Sequence, residues 1–518
     1  TPDIEAGTSL TAVYVYDADG SGSHLTTESC TIDHVTFGLY QSYSDRLTVN
    51  ILNSTLEALR PVSMDYGPLL NIDQSTLKQS TENNDGNILY LSSVGTVNIS
   101  NSLIQGNGHD DTGLYGYFSD GTISGNQFLD LKTAIDLEDL ISLTLTDNYV
   151  ETSYCGFDLE TKYNVASNWT ITGNTLLKNT TPSSQWEIGI DLYLDDGTGG
   201  STFNVYDNEI INFVHGLYFD GDYYAPEDQV TLNLSKDGLG NRFRGNINNL
   251  FIDDLRSPSK LDVQGTDWGT EDAGEVMSRI YFEDAIPSLT DDTEASTHDN
   301  LFLFDDTFTT TALNEAYVDD DFTPSDNGFG ETKFNTINAA KPHLRSGGTL
   351  YVADGLYEEQ LLLHQPVSLI GDGVGSILKN VAAEAYNDRP AILISAKDTT
   401  ISGINFQSGN TGIMVGDFDQ CLTQLNPSTG YYSSFSFSYF DSVADNATIK
   451  NNFFGNSSHT GISLQTSYAT NQLGSLTIQN NTFNSDEILT NIALHGGYYD
   501  LVLSDPVITG NTIVGGYQ

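Results

Sequence analysis

Four short segments place carboxylates where they could act together: TAIDLED (133–139), CGFDLET (155–161), IGIDLYL (188–194) and HGLYFDG (215–221). Each alternates as a β-strand does, which turns Ile135, Leu137, Phe157, Leu159, Ile190 and Leu192 to one side. Asp136, Asp158 and Asp191 then face the other side at equivalent positions, and Glu138, Glu160 and Asp220 form a second equivalent set. If the segments stack about 4.8 Å apart, the acids make two ladders on one sheet face. Carboxylates that close repel one another and require cations or raised pKa values. Asp136, Glu138, Asp158, Glu160 and Asp191 offer the hard oxygen ligands that Ca²⁺ takes. Paired acids in a polysaccharide cleft could instead carry out glycoside hydrolysis, and a plain solvated acidic face is the third reading. DADGSGS (17–23) sets Asp17 and Asp19 among glycines in the manner of a short calcium loop, without the bidentate Glu of an EF-hand. Ca²⁺ is the one cofactor expected.

Such ladders need elements that repeat, and the chain supplies them. A short pattern of apolar residue, small polar residues, Asn and a second apolar residue recurs as NISNSLI (98–104), TISGNQF (122–128), LTDNYV (145–150), ITGNTL (171–176), VYDNEI (205–210), IKNNFF (449–454), IQNNTF (478–483) and ITGNTI (508–513). The marker residues are Asn101, Asn126, Asn148, Asn174, Asn208, Asn452, Asn481 and Asn511. Short strands opened by a small residue follow these markers, and helical periodicity is scarce. A variable period with polar insertions at the corners predicts an all-β fold, the right-handed parallel β-helix, a solenoid with one repeat per coil. Asn suits the corners, because it tolerates the left-handed backbone and its amide can bond the Asn one coil away.

The array breaks after Asn208. GTDWGTEDAGEVMSRIYFEDAIPSL (265–289) holds the one convincing helical stretch, around 273–280, and resembles the element that closes bacterial β-helix domains. A cap is needed because an open sheet edge invites aggregation. Residues 290–316, rich in Thr, Asp and Ser, read as a linker. Residues 317–373, with FNTINAA, GGTLYVADGLYEE and VSLIGDG, resemble the opening of a domain of the pectin-lyase-like superfamily, in the style of pectin methylesterases. That resemblance implies two β-helix domains in tandem, 1–289 with its cap and 317–518 truncated at its C-terminal end, within a longer bacterial secreted or cell-surface protein.

The motifs of the superfamily's enzymes are incomplete. TIDHVTF (31–37) resembles a pectate-lyase segment through Asp33 and His34, and GHDD (108–111) is similar to separate polygalacturonase motifs, but in neither case are the partner motifs present. No catalytic residue is assigned on this basis. The 70 acids against 19 Lys and Arg give a net charge of −51, which excludes nucleic acid and anionic surfaces as partners. No run of 18 apolar residues suggests membrane insertion. Cys30, Cys155 and Cys421 are too few for a disulfide scaffold and read as buried small hydrophobes. Tyrosine-rich segments at 216–228 and 430–442 read as corner insertions able to stack on sugars. The expected function is a structural or adhesive segment of an extracellular surface protein. Its expected partners are polysaccharides or cell-surface glycans and other copies or further domains of the same chain. The alternative is a polysaccharide-active lyase, hydrolase or epimerase with an acidic cleft on the first β-helix.

Overall fold

The computed structural model describes residues 11–16, 23–42, 46–80, 86–108, 111–180, 184, 186–195, 199–221, 230–257, 259–283, 297–379, 390–407, 411–416, 424–425, 432–433, 445–456, 460–465, 472–473, 475–484, 490–495, 502–503 and 506–514. Two compact units divide the chain near residue 310.

In the first unit, alternation decides the strands. One coil runs through Asn168–Thr172, Thr175–Lys178 and Ile188–Tyr193, with Trp169, Ile171, Leu176, Ile190 and Leu192 buried. Each strand pairs in parallel with its counterparts one coil before and after, so the chain winds through three sheets, A, B and C in coil order. This is a parallel β-helix. Columns of apolar side chains fill it: Leu143, Trp169 and Phe203 beneath sheet A, Val150, Leu176, Ile210 and Phe243 beneath B, Leu159, Leu192, Phe219 and Ile252 beneath C. Each such side chain contributes about 1.5–3 kcal/mol by leaving water. Where sheet C begins, Gly156 and Gly189 sit so close to the next coil that a Cβ would lie 2.3 Å from the Gly189 carbonyl oxygen and 2.5 Å from that of Gly216. This is why a small residue opens these strands.

The corner between sheets A and B is two residues long in successive coils, as in Thr146 to Tyr149, Thr172 to Thr175 and Tyr206 to Glu209, and lengthens to eight only in the last coil, between Asn233 and Arg242. Its first residue takes the left-handed conformation, as at Asp147 (φ 56°), Gly173 (φ 69°) and Asp207 (φ 56°). Its second residue builds a buried ladder. The Asn126 side-chain amide donates to Asn148 Oδ1 at 3.0 Å, that of Asn148 to Asn174 at 2.9 Å, that of Asn174 to Asn208 at 2.9 Å and that of Asn208 to Asn241 at 3.1 Å. Each of these Oδ1 atoms also accepts the backbone N–H one coil back. The two talents of Asn expected at the corner are thus split between adjacent positions. Asn101 is a correction: it holds the left-handed site (φ 48°) and is exposed, and the ladder residue of its coil is Ser102. Ser54 and Ser75 continue the ladder toward the N-terminus through hydroxyl acceptors, and Cys30 stands at its start, exposed rather than buried.

The first unit closes with Trp268 stacked on Phe243 at 5.6 Å, the helix Ala273–Ser278 capped by Asp272, and the strand Ile280–Glu283 paired to Asn248–Asp253. The expected linker is corrected here. His298–Leu301 is helical, Phe302–Leu303 pairs with Leu261–Asp262, and Leu301 and Phe302 are buried in the first core. The apolar run LFLF (301–304) inside a polar segment supplies the lid over Trp268, with Phe304 6.2 Å from it.

The second unit opens with the strand Leu313–Val318, which begins inside the expected linker and runs past its end at 316, and with the helix Ile337–Ala340. Thr336 caps that helix, and the Glu359 carboxylate accepts the N–H groups of Ile337 and Asn338 at 2.8 and 2.7 Å, so the GLYEE end of the sequence motif ties the helix to the first coil. Three parallel sheets follow. Asn452, Asn481 and Asn511 repeat the corner ladder.

Replacing Asn174 by Ala removes the acceptor of the Asn148 N–H and amide and the donor to Leu145 O. It is expected to cost about 2–5 kcal/mol in urea unfolding, whereas Asn101→Gly, which keeps the left-handed backbone at ease, is expected to cost under about 1 kcal/mol. Equal losses would refute the division of labour at the corner.

Candidate functional site: an aromatic and carboxylate face

Sheet C carries one side chain per coil on its outer face at each register position. Following the pairing from coil to coil, one column reads Tyr14, Tyr40, Ser63, Tyr90, Tyr115, Asp136, Asp158, Asp191, Tyr218, Phe251 and Tyr281. The structure therefore brings Asp136, Asp158 and Asp191 together in register, as the alternation required. It also reveals what the sequence reading missed: aromatic rings occupy the same column on both sides of the three acids. Tyr90 and Tyr115 stack at 5.8 Å, Tyr218 and Phe251 at 4.7 Å, and Phe251 and Tyr281 lie 4.4 Å apart. Tyr218 belongs to the strand His215–Asp220 and not to a corner insertion. The signal for this column was the recurring aromatic between two inward apolar residues, as in ILYL, GLYG, GLYF, NLFI and RIYF. Of the other tyrosine-rich segment, 430–442, only the short strand Tyr432–Ser433 lies within the described residues.

Two residues along the strand a second outward column runs Asp65, Ser92, Tyr117 and Glu138, and continues in later coils as Glu160, Tyr193, Asp220 and Asp253. The expected second ladder of Glu138, Glu160 and Asp220 is thus interrupted. The pairing of the first two coils is irregular between Leu137 and Leu140, and Tyr193, which is exposed, stands between Glu160 and Asp220. The carboxylates of Asp220, Asp253 and Asp254 have oxygens within 4.8 Å of one another, a grouping a hard divalent cation fits. Asp253 and Asp254 escaped the sequence reading because NNLFIDD lacks the small residue that opens the other strands. Asp17 and Asp19 lie outside the described residues. Asp33 lies in the strand Thr31–Ser42, before its sheet C part, and Asp111 is buried, its carboxylate accepting the Asn107 N–H at 3.0 Å, which is a turn-forming role.

The electrostatics of the face follow from crowding. Burial, then Asp158, Glu138 and Glu160, push the Asp136 carboxyl up to about 7. Burial, then Glu138 and Asp195 among other acids, push Glu160 up to about 7, and burial with Asp254 pushes Asp220 up to about 6. Asp158 is raised by burial and Glu138, and Asp191 well above the carboxylate range by burial, Asp158 and Asp220. Tyr115 and Tyr117 share a hydroxyl contact of 2.6 Å beside Glu138, and burial raises the Tyr115 phenol. Neither column holds a Lys or Arg; Lys132 precedes Asp136 in the same strand, and Lys162 follows the strand that carries Glu160.

A solenoid of three parallel sheets defines the class: a right-handed parallel β-helix. Residues 11–176 match the family model described as right handed beta helix region. No curated protein matches the chain. Among solved structures, a mutant of an alginate lyase of the PL6 family is similar at 12% identity and a TM-score of 0.26, over 95% of this chain and 97% of that one.

The raised carboxyls have a consequence for stability. Acids whose ordinary values are 3.8 and 4.5 and which titrate near 7 in the fold stabilise it fully below about pH 4, and that contribution is lost as pH rises through about 7. Asp136→Asn is expected to stabilise the full chain by about 1–2 kcal/mol at pH 8, after allowance for solvent screening, and to leave it unchanged at pH 4. Urea titrations of both proteins at the two pH values check this, and no gain at pH 8 would contradict the crowding.

Proposed function

We infer that the first unit is a glycan-binding β-helix whose contact surface is the outer face of sheet C, acting as an adhesive segment of an extracellular surface protein. One observation carries this reading: aromatic rings at Tyr90, Tyr115, Tyr218, Phe251 and Tyr281 share a single register column with three aspartates. Rings supply apolar platforms for the CH faces of sugars, and the polar groups between them can bond hydroxyls. The parallel sheet makes the platform rigid, so little ordering is needed on binding. In the absence of glycan, the same acids have the ligand chemistry for Ca²⁺.

A second reading, glycoside hydrolysis, is favoured by the Asp136 carboxyl titrating near 7 beside Asp158. Two neighbouring carboxyls with different proton affinities are the pair a glycosidase uses, one as acid and the other as base or nucleophile. Release of new reducing ends from a bound polysaccharide, abolished in Asp136→Asn and Asp158→Asn, would establish this second reading.

Binding is tested by affinity electrophoresis of the full chain in gels containing neutral, acidic or amino polysaccharides. Retardation by at least one is expected. Tyr115→Ala and Tyr218→Ala should each weaken it by about 1 kcal/mol, about fivefold in Kd. Absence of retardation in every gel, or retardation indifferent to both substitutions, would defeat the proposal.

A further inference from the structure

We propose that the outer face of sheet C is a docking surface for a cationic polysaccharide, a polymer of amino sugars lying along the helix axis. The proposal rests on the glycan-binding reading above and adds the chemical class of the glycan.

Three observations select it. The first is charge complementarity. Between the rings at Tyr115 and Tyr218, the two outward columns hold Asp136, Glu138, Asp158, Glu160 and Asp191, with Tyr193, Asp220 and Asp253 following, and neither column holds a Lys or Arg. Uronate or sulfated chains would meet repulsion from these acids, in a chain of net charge −51. The second is spacing. The coils repeat at about 4.8 Å, close to the length of one hexose in an extended polysaccharide, so sugars laid along the column meet acids coil after coil. The third is placement: the acids sit between aromatic stacks at Tyr90–Tyr115 and Tyr218–Phe251–Tyr281, so a chain held by rings at both ends must cross the carboxylates. A neutral chain would bury these acids further with nothing to satisfy their charge. Ammonium groups would form charge-assisted hydrogen bonds with them.

The two kinds of ligand leave opposite proton signatures. Asp136, Glu160 and Asp220 are held partly protonated near neutral pH by burial and by their acidic neighbours. An ammonium placed among them favours the ionised form and expels protons, whereas a neutral sugar that only buries them draws protons in.

The experiment is calorimetric titration of the full chain at pH 5, where the amino sugars are already ammonium groups, with glucosamine, glucose and uronic-acid hexamers of the same β-1,4 linkage, in two buffers of different ionisation enthalpy. The glucosamine hexamer is expected to bind at least about tenfold more tightly than the glucose hexamer, with proton release, and to lose most of that preference near 1 M salt, where the screening length is about 3 Å. The uronate hexamer is expected not to bind. Asp158→Asn and Asp191→Asn, verified as folded by their unfolding curves, should each narrow the preference. Glucose binding as well as glucosamine, proton uptake with glucosamine, or a preference indifferent to salt would overturn the cationic assignment while leaving glycan binding intact. Failure of all three hexamers to bind would overturn both.

Discussion

The two-residue corner between sheets A and B is the constraint on which the rest of the first unit depends. A left-handed residue turns the chain, and the next side chain is then aimed along the axis at its counterpart in the following coil. Each ladder Asn bonds both its neighbour and a strand carbonyl of the previous coil, as Asn148 does with Ile123 O and Asn174 with Leu145 O. A buried amide left unbonded is expensive, so a coil that slipped along its neighbour would strand several groups at once. Register is therefore fixed at this edge and carried around the coil by the parallel strands. The alignment of Asp136, Asp158 and Asp191 on sheet C depends on it.

That alignment opposes the energetics of the fold. The core columns and the ladder draw the coils together, while the acids they bring into line repel one another. The fold tolerates this by letting the carboxyls hold protons, as the upward shifts at Asp136, Asp158, Asp191 and Glu160 show. Local destabilisation borne by a rigid frame is what a functional surface commonly exhibits. Lys178 and Glu187 show the contrasting solution: a fully buried pair at 3.4 Å, in which the opposite charge offsets part of the burial that still lowers the Lys178 ammonium's pKa.

What could be read in the sequence was whatever the corner imposes locally. The Gly-Asn and Asp-Asn dipeptides mark the turn because two residues must do two fixed jobs there, and the strands after Gly156 and Gly189 declare themselves because only a small residue fits against the next coil. Asn101 misled for the same reason, since Asn serves at either position and Ser102 took the ladder role. The aromatic column was hidden because nothing local ties Tyr115 to Tyr218. Coil lengths vary, and only the pairing shows that the two occupy one column. The lid at Leu301 and Phe302 was hidden by the polar composition around it.

The corner also differs from the others in what it permits. From sheet A to sheet B the count is two residues in every coil before the last, whereas the passage from sheet B to sheet C takes nine residues between Lys178 and Ile188 but two between Thr152 and Cys155, where one strand runs on into the next sheet. Length changes thus fall mainly on edges the ladder does not touch, and the one insertion at the ladder edge, between Asn233 and Arg242, precedes Asn241 and leaves its ladder bond in place. A coil is in effect an interchangeable part with a standard fitting on one edge and free design on the other two. Serine and asparagine coils already coexist on the same fitting at Ser102 and Asn126, which makes whole-coil duplication, deletion or exchange the natural route by which such a chain changes its length and the surface it displays.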